Sequence, residues 1–410
     1  MELSSSQKDI DNRDYRPTWI GAVLLAVFSV LAQYSLPVMS YGLVFASLYS
    51  VICVLIKGRL SFNISILTFT VWCIISQLFI YILSGTFAKN QNTYFFMFVA
   101  TFLLACMCEI EKESFFKVYY VFGVFFSVLV IYQFVMGNVF GVPQNAIRIL
   151  PVAEEDMHFW IQNSTRASGV FTEPQAYCSY ILPLLIMLLF KRRIKSAIFV
   201  SIAIFASTSS QGIIIALIIW GYYLIVYEEN GKKKFFRFLG GMLVLILALL
   251  VLRNIPTFAP IIDKIFSISI NGYDIRLTKG FQIYWAMPLR DKITGIGFGN
   301  LHDYLLSGKF NFFWIRLTRD ELLAYITTMS NVLVSFGIVA FFLYINIFRK
   351  NWKPGTPEAK LMLIVILVSS FTQTALFNAW YVFYWVVFEV LDSYEPSRYF
   401  YILLRSNYHG

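Results

Sequence analysis

A segment between residues 166 and 183 places an arginine and a glutamate at the start of a long apolar run. Arg166 begins this segment, Glu173 lies seven residues later, and Pro174 follows directly. An ionised side chain at the edge of a hydrophobic span is costly unless it is paired. The sequence therefore leaves two interpretations open: the two charges bind each other, or they bind a charged ligand.

The same segment also has a purely structural interpretation. Thr172 can cap a helix that begins near Pro174, and the charge of Glu173 complements the helix dipole. Gly169 lacks a Cβ atom, so either a ligand or another helix can approach its backbone closely. A helix start explains Glu173 completely, but it does not explain Arg166.

A second candidate segment runs from Asp274 to Met287 and is predicted to be an amphipathic helix. Arg276 and Lys279 are one turn apart and share a face. An aromatic face at the membrane surface would hold both cations toward the mouth of a helix bundle, although a solvated helix with an interfacial belt is the alternative. The other face of this helix carries Phe281, Tyr284 and Trp285.

A glycine-rich turn follows this helix. Arg290 precedes it, glycines occupy positions 295, 297 and 299, and His302 comes after it. A dinucleotide site would need a preceding buried strand and a following helix, so we predict a close-packed turn instead. His302 is a candidate proton carrier, with a satisfied polar histidine as the alternative.

The composition predicts the protein class. Hydrophobic residues make up 58% of the 410 residues, compared with about 45–50% in soluble domains. We therefore predict an all-α polytopic integral membrane helix bundle that forms a single domain over residues 1–410. About twelve helices span the membrane, or eleven if 361–391 is one span. The predicted spans are 17–34, 37–56, 62–84, 92–108, 115–136, 176–190, 194–208, 212–227, 235–252, 328–348 and two short helices within 361–391.

The distribution of positive charge predicts the orientation of the bundle. Lys191, Arg192, Arg193 and Lys195 form one of several basic connections that alternate with nearly uncharged ones. Basic short loops stay in the cytoplasm, which places both termini there and two large loops, about 137–175 and about 253–327, outside. The net charge of +10 is explained by topology and anionic lipid, so nucleic-acid binding is not expected.

Metal sites and disulfides are not expected. The acids at 154–156 are adjacent along the chain and so diverge, which suits a solvated patch better than a cation site. All five cysteines fall within or beside predicted spans. They are interpreted as small core residues, and no cofactor is predicted.

Together these residues resemble the Wzy-type O-antigen and capsule repeat-unit polymerases, whose superfamily includes the O-antigen ligases. One departure is the sequence 209–212, Ser-Ser-Gln-Gly, where relatives often have Ser-Arg-Gly. The resemblance rests on an R-x-x-G-x-x-x-E-P pattern, an arginine-led helix before Pro-Leu and a glycine turn, and a later span with Ser-Asn and Phe-Gly-Ile: Arg166, Gly169, Glu173, Pro174; Arg276, Pro288, Leu289, Gly295, Gly297, Gly299, Asn300; Ser330, Asn331, Phe336, Gly337 and Ile338.

The resemblance implies a GT-C-like fold and a metal-independent glycosyltransferase in the bacterial inner membrane. Such an enzyme joins undecaprenyl-diphosphate-linked oligosaccharide repeats into O-antigen or capsular polysaccharide at the periplasmic face. Its expected partners are the lipid-linked donor and acceptor, the bilayer and a chain-length regulator. Ligation of a finished glycan to a lipid or protein, and lipid-linked-oligosaccharide transport by a flippase, remain alternatives.

The resemblance also suggests roles for the candidate residues. Arg166 and Arg276 would stabilise the diphosphate leaving group, because guanidinium groups grip phosphate oxygens bidentately. Glu173 or His302 would act as the base for the attacking hydroxyl. The expected substrate-binding residues are Lys279, Arg290, Gly169, Tyr284 and Trp285.

Overall fold

The computed structural model describes most of the chain. The predicted span 235–252, apart from residue 240, and the acids at 154–156 lie outside the described residues. The side chain of Arg276 lies outside them too, although its backbone is described. The described residues are 19–34, 40–57, 59–84, 91–107, 110–142, 144–152, 160, 166–226, 240, 253–254, 259, 263, 275–306, 326–392 and 399–403.

The described part of the chain is mostly helical, as its apolar runs predict. The elements before residue 140 are α1 (Trp19–Leu31), α2 (Tyr41–Lys57), β1 (Arg59–Asn63), α3 (Ile64–Ser84), α4 (Gln91–Met107) and α5 (Lys112–Asn138). Those in the middle are α6 (Pro174–Phe190), α7 (Ile194–Ala206), α8 (Ser210–Val226), α9 (Ile275–Ala286), α10 (Leu289–Thr294) and α11 (Leu301–Leu306). The last are α12 (Thr328–Trp352), α13 (Pro357–Thr372), α14 (Ala379–Leu391) and β2 (Tyr399–Leu403).

The strands require one correction to the all-α prediction. β1 and β2 pair antiparallel, with Arg59 opposite Leu403 and Asn63 opposite Tyr399. Asn63 lies in the predicted span 62–84, but it belongs to the strand, and α3 starts one residue later. A polar Arg-Leu-Ser-Phe-Asn strand next to an apolar helix is too short to alter the hydrophobic pattern from which the span was predicted.

The apolar helices suggest a membrane protein. Among the described residues, three helices are long and apolar enough to cross a bilayer: Ile64–Ile82, Lys112–Asn138 and Thr328–Trp352. Most other apolar helices are shorter than the roughly 20 residues that a span usually needs. The division of 361–391 into two helices is confirmed, since α13 ends at Thr372 and α14 begins at Ala379. The total of about twelve spans is not confirmed and stays a prediction.

The helix α6 occupies the centre of the bundle. Every residue from Tyr177 to Leu189 is buried, and α6 packs against α5, α7, α8 and α13. Aromatic rings fill the space around it, with the Tyr180 ring 6.0 Å from that of Phe383 and 5.2 Å from that of Phe171. A helix that is apolar on all sides is typical of a position surrounded by other helices.

Two ion pairs bring basic connections together at one end of the bundle. Lys191 pairs with Glu113, and Lys112 pairs with Glu358. The α6–α7 connection, the start of α5 and the start of α13 therefore meet at this end, which we call the basic end. Residues 166–173, which we call the Arg166 segment, precede α6 and so lie toward the opposite end. Which end faces the cytoplasm stays a prediction.

The helix α12 is broken at Gly337, and the glycine-rich turn docks onto the break. Gly337 has φ 78° and ψ −176°, which is not helical. Ile296 N donates to Val334 O at 3.1 Å, and Gly297 N donates to Ser335 O at 2.9 Å. The turn thus satisfies carbonyl groups that the break releases. As predicted, the segment is a close-packed turn.

Candidate functional site

The Arg166 segment is held against the end of α5 by one buried amide, Gln133. The backbone N–H groups of Ser168 and Gly169 donate to Gln133 Oε1 at 3.0 Å and 2.7 Å. Its Nε2 atom donates to Asn145 O at 2.9 Å. Because Gln133 is buried, these bonds form away from competing water and fix the backbone a few residues after Arg166.

Gly169 is required here by helix packing. It has φ +66°, and a Cβ atom at this position would lie 3.1 Å from Cγ2 of Val130 in α5. Of the two explanations left open for this glycine, the structure therefore supplies the neighbouring helix. The backbone conformation and the close approach both favour glycine.

Arg166 and Glu173 are both exposed. Among the described residues, no ion pair or hydrogen bond joins them. The prediction that Thr172 caps α6 is wrong: Glu173 occupies the cap position, and Pro174 takes the first turn. Thr172 instead donates through its backbone N–H and its hydroxyl to Gln33 Oε1, at 2.8 Å and 2.9 Å. A long-range amide therefore replaces the local cap.

The buried Cys178 side chain in α6 lies against the turn between α7 and α8. Cys178 Sγ lies 3.2 Å from Ser207 Oγ, which belongs to the turn between α7 and α8. A Cβ atom on Gly212 would lie 2.2 Å from Cys178 Sγ. The Ser-Ser-Gln-Gly turn therefore packs against the first part of α6, the helix that follows Arg166.

On the other side of the site, α9 turns Lys279 inward. Lys279 is 7% exposed, and this burial lowers the pKa of its ammonium group below the usual value. A Cβ atom on the next residue, Gly280, would lie 2.2 Å from Ser330 Oγ. The glycine thus allows α9 to pack closely on the start of α12. Arg276 lies one turn earlier in the same helix.

The prediction that α9 carries a single aromatic face is wrong. Tyr284 is buried, and its hydroxyl donates to Lys292 O at 3.4 Å, while Trp285 is 73% exposed. Lys292 Nζ lies 5.8 Å from the centre of the Trp285 ring. The helices α9 and α10 both pack on α12, and Tyr284 lies in a buried cluster that includes Ile296 and Leu333. Of these two aromatic residues, only Trp285 offers an open ring surface for a sugar.

His302 and Arg290 occupy the outer part of the same region. Arg290 is exposed. His302 Nδ1 lies 3.8 Å from Asp303 Oδ1, and no hydrogen bond or ion pair connects it to Arg166 or Glu173 in the part of the chain that the structure describes. Tyr304 donates to Asp291 Oδ2 at 2.7 Å. Burial and this carboxylate raise the pKa of Tyr304.

A polar layer, formed by Ser179, Gln373, Thr328 and Ser330, lies between the two candidate segments. Ser179 Oγ in α6 donates to Gln373 Oε1 at 3.1 Å. Thr328 N at the start of α12 donates to Gln373 O at 2.8 Å. Gln373 therefore connects α6, the helix that follows the Arg166 segment, to the start of α12, against which α9 packs.

Four glutamines position these segments, a role that the sequence analysis did not predict for them. Gln77 Oε1 accepts from Phe298 N at 2.9 Å and so holds the glycine-rich turn. Each of the four contacts a motif segment or the polar layer. Their signal in the sequence was an isolated amide within or beside an apolar run, which is costly unless it is hydrogen-bonded. The residues are Gln33, Gln77, Gln133 and Gln373.

Within the described ranges, no group of three or more His, Cys, Asp or Glu side chains converges. No known protein-family model matches the chain, and no curated protein matches it in sequence.

Proposed function

We propose that this chain is a polymerase that joins undecaprenyl-diphosphate-linked oligosaccharide repeats into O-antigen or capsular polysaccharide. The observation that carries the proposal is the setting of Arg166: an exposed arginine, not paired with Glu173, beside a segment that is anchored by Gln133. Anchoring removes much of the entropy loss that binding a diphosphate would otherwise require.

A second cation supports the same chemistry. Lys279 of α9 is buried, and the next residue, Gly280, packs on the start of α12. The polar layer connects this part of α12 to α6. A cation at a buried position interacts more strongly with an incoming anion than a cation in bulk water does. Arg276 would extend this positive surface along α9. A diphosphate that leaves with two negative phosphates needs positive charge from more than one side chain, and Arg166 and Lys279 lie on different segments.

Glu173 is the better placed of the two candidate bases. It belongs to the same anchored segment as Arg166, and its side chain is exposed at the start of α6. His302 is held on α11 and contacts Asp303. A base must come within about 3 Å of the hydroxyl that attacks. Because Glu173 and Arg166 belong to the same anchored segment, the base and the cation can be positioned together.

The polyprenyl chain of the substrate needs an apolar surface beside this site. The exposed face of α5 supplies one, because it ends next to the Arg166 segment. Its side chains recur with helical spacing and would face lipid in the proposed membrane setting. They are Val121, Phe125, Val128 and Tyr132.

Deletion of the gene, followed by electrophoresis of surface polysaccharide, tests the proposal. Loss of a polymerase leaves a single repeat on the lipid core, whereas loss of a ligase leaves none. A strain that keeps a full ladder, or that accumulates repeats on the cytoplasmic side as a flippase mutant would, contradicts the proposal. Complementation with the wild-type chain is the control.

A further inference from the structure

The connection between α6 and α7 holds an arginine against the first part of α5. The guanidinium carbon of Arg193 lies 5.2 Å from the centre of the Phe116 ring and 5.1 Å from that of the Tyr120 ring. Both distances are typical of cation–π contacts, which orient a guanidinium group through its face and leave its N–H edge for another ligand. The Tyr120 hydroxyl also lies 3.2 Å from Ser196 Oγ in α7. These contacts fix the Arg193 charge at the junction of α5 and α7.

Positive charge exceeds negative charge around this junction. Lys191 pairs with Glu113, so that carboxylate is already engaged. Three further cations, Arg193, Lys195 and Lys117, are exposed. No carboxylate forms an ion pair with any of them in the ranges that the structure describes. The surface therefore favours an anionic ligand.

Exposed apolar side chains continue from these cations along both helices. Ile194, Ile198 and Ile202 of α7 are exposed and recur every four residues, so they share one face. On α5, Val121 is exposed one turn after Lys117. The stripe of three isoleucines rises about 12 Å along the helix, which is close to the roughly 15 Å of hydrocarbon in one leaflet of a bilayer. A cationic cluster beside an apolar stripe of this length matches the headgroup and the acyl chains of one phospholipid.

We infer that the α5–α7 surface at the basic end is a binding site for an anionic phospholipid. The phosphate and the anionic headgroup contact Arg193, Lys195 and Lys117, and the acyl chains lie on the exposed isoleucines of α7 and on Val121. A zwitterionic phospholipid carries a positive charge of its own and so gains less from three cations.

This inference rests on the membrane setting of the bundle and not on the proposed enzymatic function. Lys117 lies near the start of α5, whereas Gln133, which anchors the Arg166 segment, lies near its end. The phospholipid headgroup and the proposed diphosphate site are therefore at opposite ends of one long helix.

Lipid retention by the purified full chain tests the inference. Native mass spectrometry in detergent, with dioleoyl phosphatidylglycerol or dioleoyl phosphatidylcholine added, compares two headgroups of different net charge on the same acyl chains. Phosphatidylglycerol should stay bound, and phosphatidylcholine should be lost. Arg193→Gln should weaken the binding of phosphatidylglycerol about fivefold, the effect expected for one cation beside an anionic headgroup.

Arg349→Gln is the matched control. It removes the same charge at the same end of the bundle, but Arg349 lies on α12 and bonds to Asn346 Oδ1 at 3.2 Å. This variant should retain phosphatidylglycerol as the wild type does. Equal losses from Arg193→Gln and Arg349→Gln would overturn the inference, because charge at any position would then suffice. Equal retention of the two phospholipids would overturn it as well.

The shift in melting temperature on adding lipid gives a second measurement. A ligand that binds only the folded state stabilises it, so phosphatidylglycerol should raise the melting temperature of the wild type. Lys117→Gln removes an exposed cation without touching a ring contact, and its shift should be smaller than that of the wild type. A full wild-type shift in this variant would contradict the site. Inorganic phosphate at the same concentration should give no shift, and a shift equal to that from phosphatidylglycerol would overturn the assignment to a lipid.

Discussion

Gln133 and Gly169 are joined by two hydrogen bonds that run in opposite directions. Gly169 N donates to Gln133 Oε1 at 2.7 Å, and Gln133 Nε2 donates to Gly169 O at 3.3 Å. One amide thus completes a backbone pairing that a strand would normally provide. It makes the segment before α6 a fixed part of the bundle and gives Arg166 a rigid base.

Replacing this amide should be costly. Gln133→Leu keeps the approximate volume but leaves the buried N–H groups of Ser168 and Gly169 without an acceptor. We expect a loss of about 3 kcal/mol in the free energy of unfolding. Thermal denaturation in detergent measures this loss. Gln144→Leu is the matched control and should change stability little, because the Gln144 side chain donates to nearby Val142 O and to no other atom of the described residues. Equal effects from both variants would contradict the anchoring role.

Arg166→Ala should abolish long-chain glycan while leaving the protein in the membrane at a normal level. Loss of one charge-assisted contact in the transition state costs about 3 kcal/mol, or about a hundredfold in rate. Arg166→Lys should restore activity only partly, because an ammonium lacks the planar fork of guanidinium. The glycan ladder of a complemented deletion strain reports the result, with an immunoblot for expression.

The control for this prediction is Arg349→Ala. Arg349 is an exposed arginine in the last turn of α12, at the basic end, where it bonds to Asn346 Oδ1 at 3.2 Å. A full-length ladder from Arg166→Ala would contradict the diphosphate role. Normal ladders are expected from Arg349→Ala.

Gly337→Ala should destabilise the fold strongly. The residue has φ +78°, and an added Cβ atom would lie 2.0 Å from Ile293 O. Backbone strain and the clash together should cost about 3 kcal/mol or more. Gly221 is a matched control, because a Cβ atom there meets no other atom within 4 Å. As Gly221 lies in α8, its replacement by alanine should stabilise the protein by about 0.5–1 kcal/mol. A Gly337→Ala variant that melts like the wild type would contradict the docking of the turn.

Lys279→Met should separate stability from function. Burial lowers the pKa of Lys279 below its usual 10.5, so the unfolded chain binds this proton more tightly than the folded one. Folding is therefore penalised at neutral pH, and the penalty disappears as the pH rises from the lowered pKa toward 10.5. At about pH 7 the variant should have a higher melting temperature than the wild type. Its melting temperature should not rise in alkaline buffer as that of the wild type does. It should also give a shortened glycan ladder.

Lys195→Met is the control for the pH experiment, since Lys195 is exposed at the start of α7. Its melting temperature should follow the wild type at every pH. A melting temperature of Lys279→Met below that of the wild type at neutral pH would show that the lysine stabilises the fold. This result would contradict its proposed role in binding an anionic ligand.

The orientation of the bundle can be tested with single cysteines. Lys195→Cys lies at the start of α7, beside the basic connection that follows α6, and Leu306→Cys lies at the exposed end of α11. An impermeant maleimide applied to cells with a permeabilised outer membrane should label position 306 and spare position 195. The four described native cysteines are buried and should give little background. The reverse labelling pattern would overturn the predicted topology.

The positions of the helices were largely predictable, because apolar runs dominate this sequence. The break in α12 was not. Its residues 328–348 form one continuous apolar run, and a single glycine in such a run is common in membrane helices. The break exists because the turn at 295–297 supplies the hydrogen-bond donors. That partner lies about forty residues earlier and leaves no periodic signal.

The candidate site was predictable only in part. Arg166 stood out because no local structure explained it. Thr172 was misjudged because a local cap competes with a bond to Gln33, which lies far away in sequence. Tyr284 was misjudged because helical spacing cannot tell which face a neighbouring segment will cover. Local rules describe single elements, whereas these two outcomes depend on contacts between elements.

The pairing of β1 with β2 has a consequence for the order in which the protein can be assembled. Asn63 of β1 also donates to Glu389 Oε1 in α14 at 2.7 Å. A strand made early in synthesis must therefore wait for residues near position 400, with its edge open to other partners in the meantime. Contacts so distant in sequence form slowly. The closing step at the basic end should be the last event of folding and the one most exposed to errors of insertion.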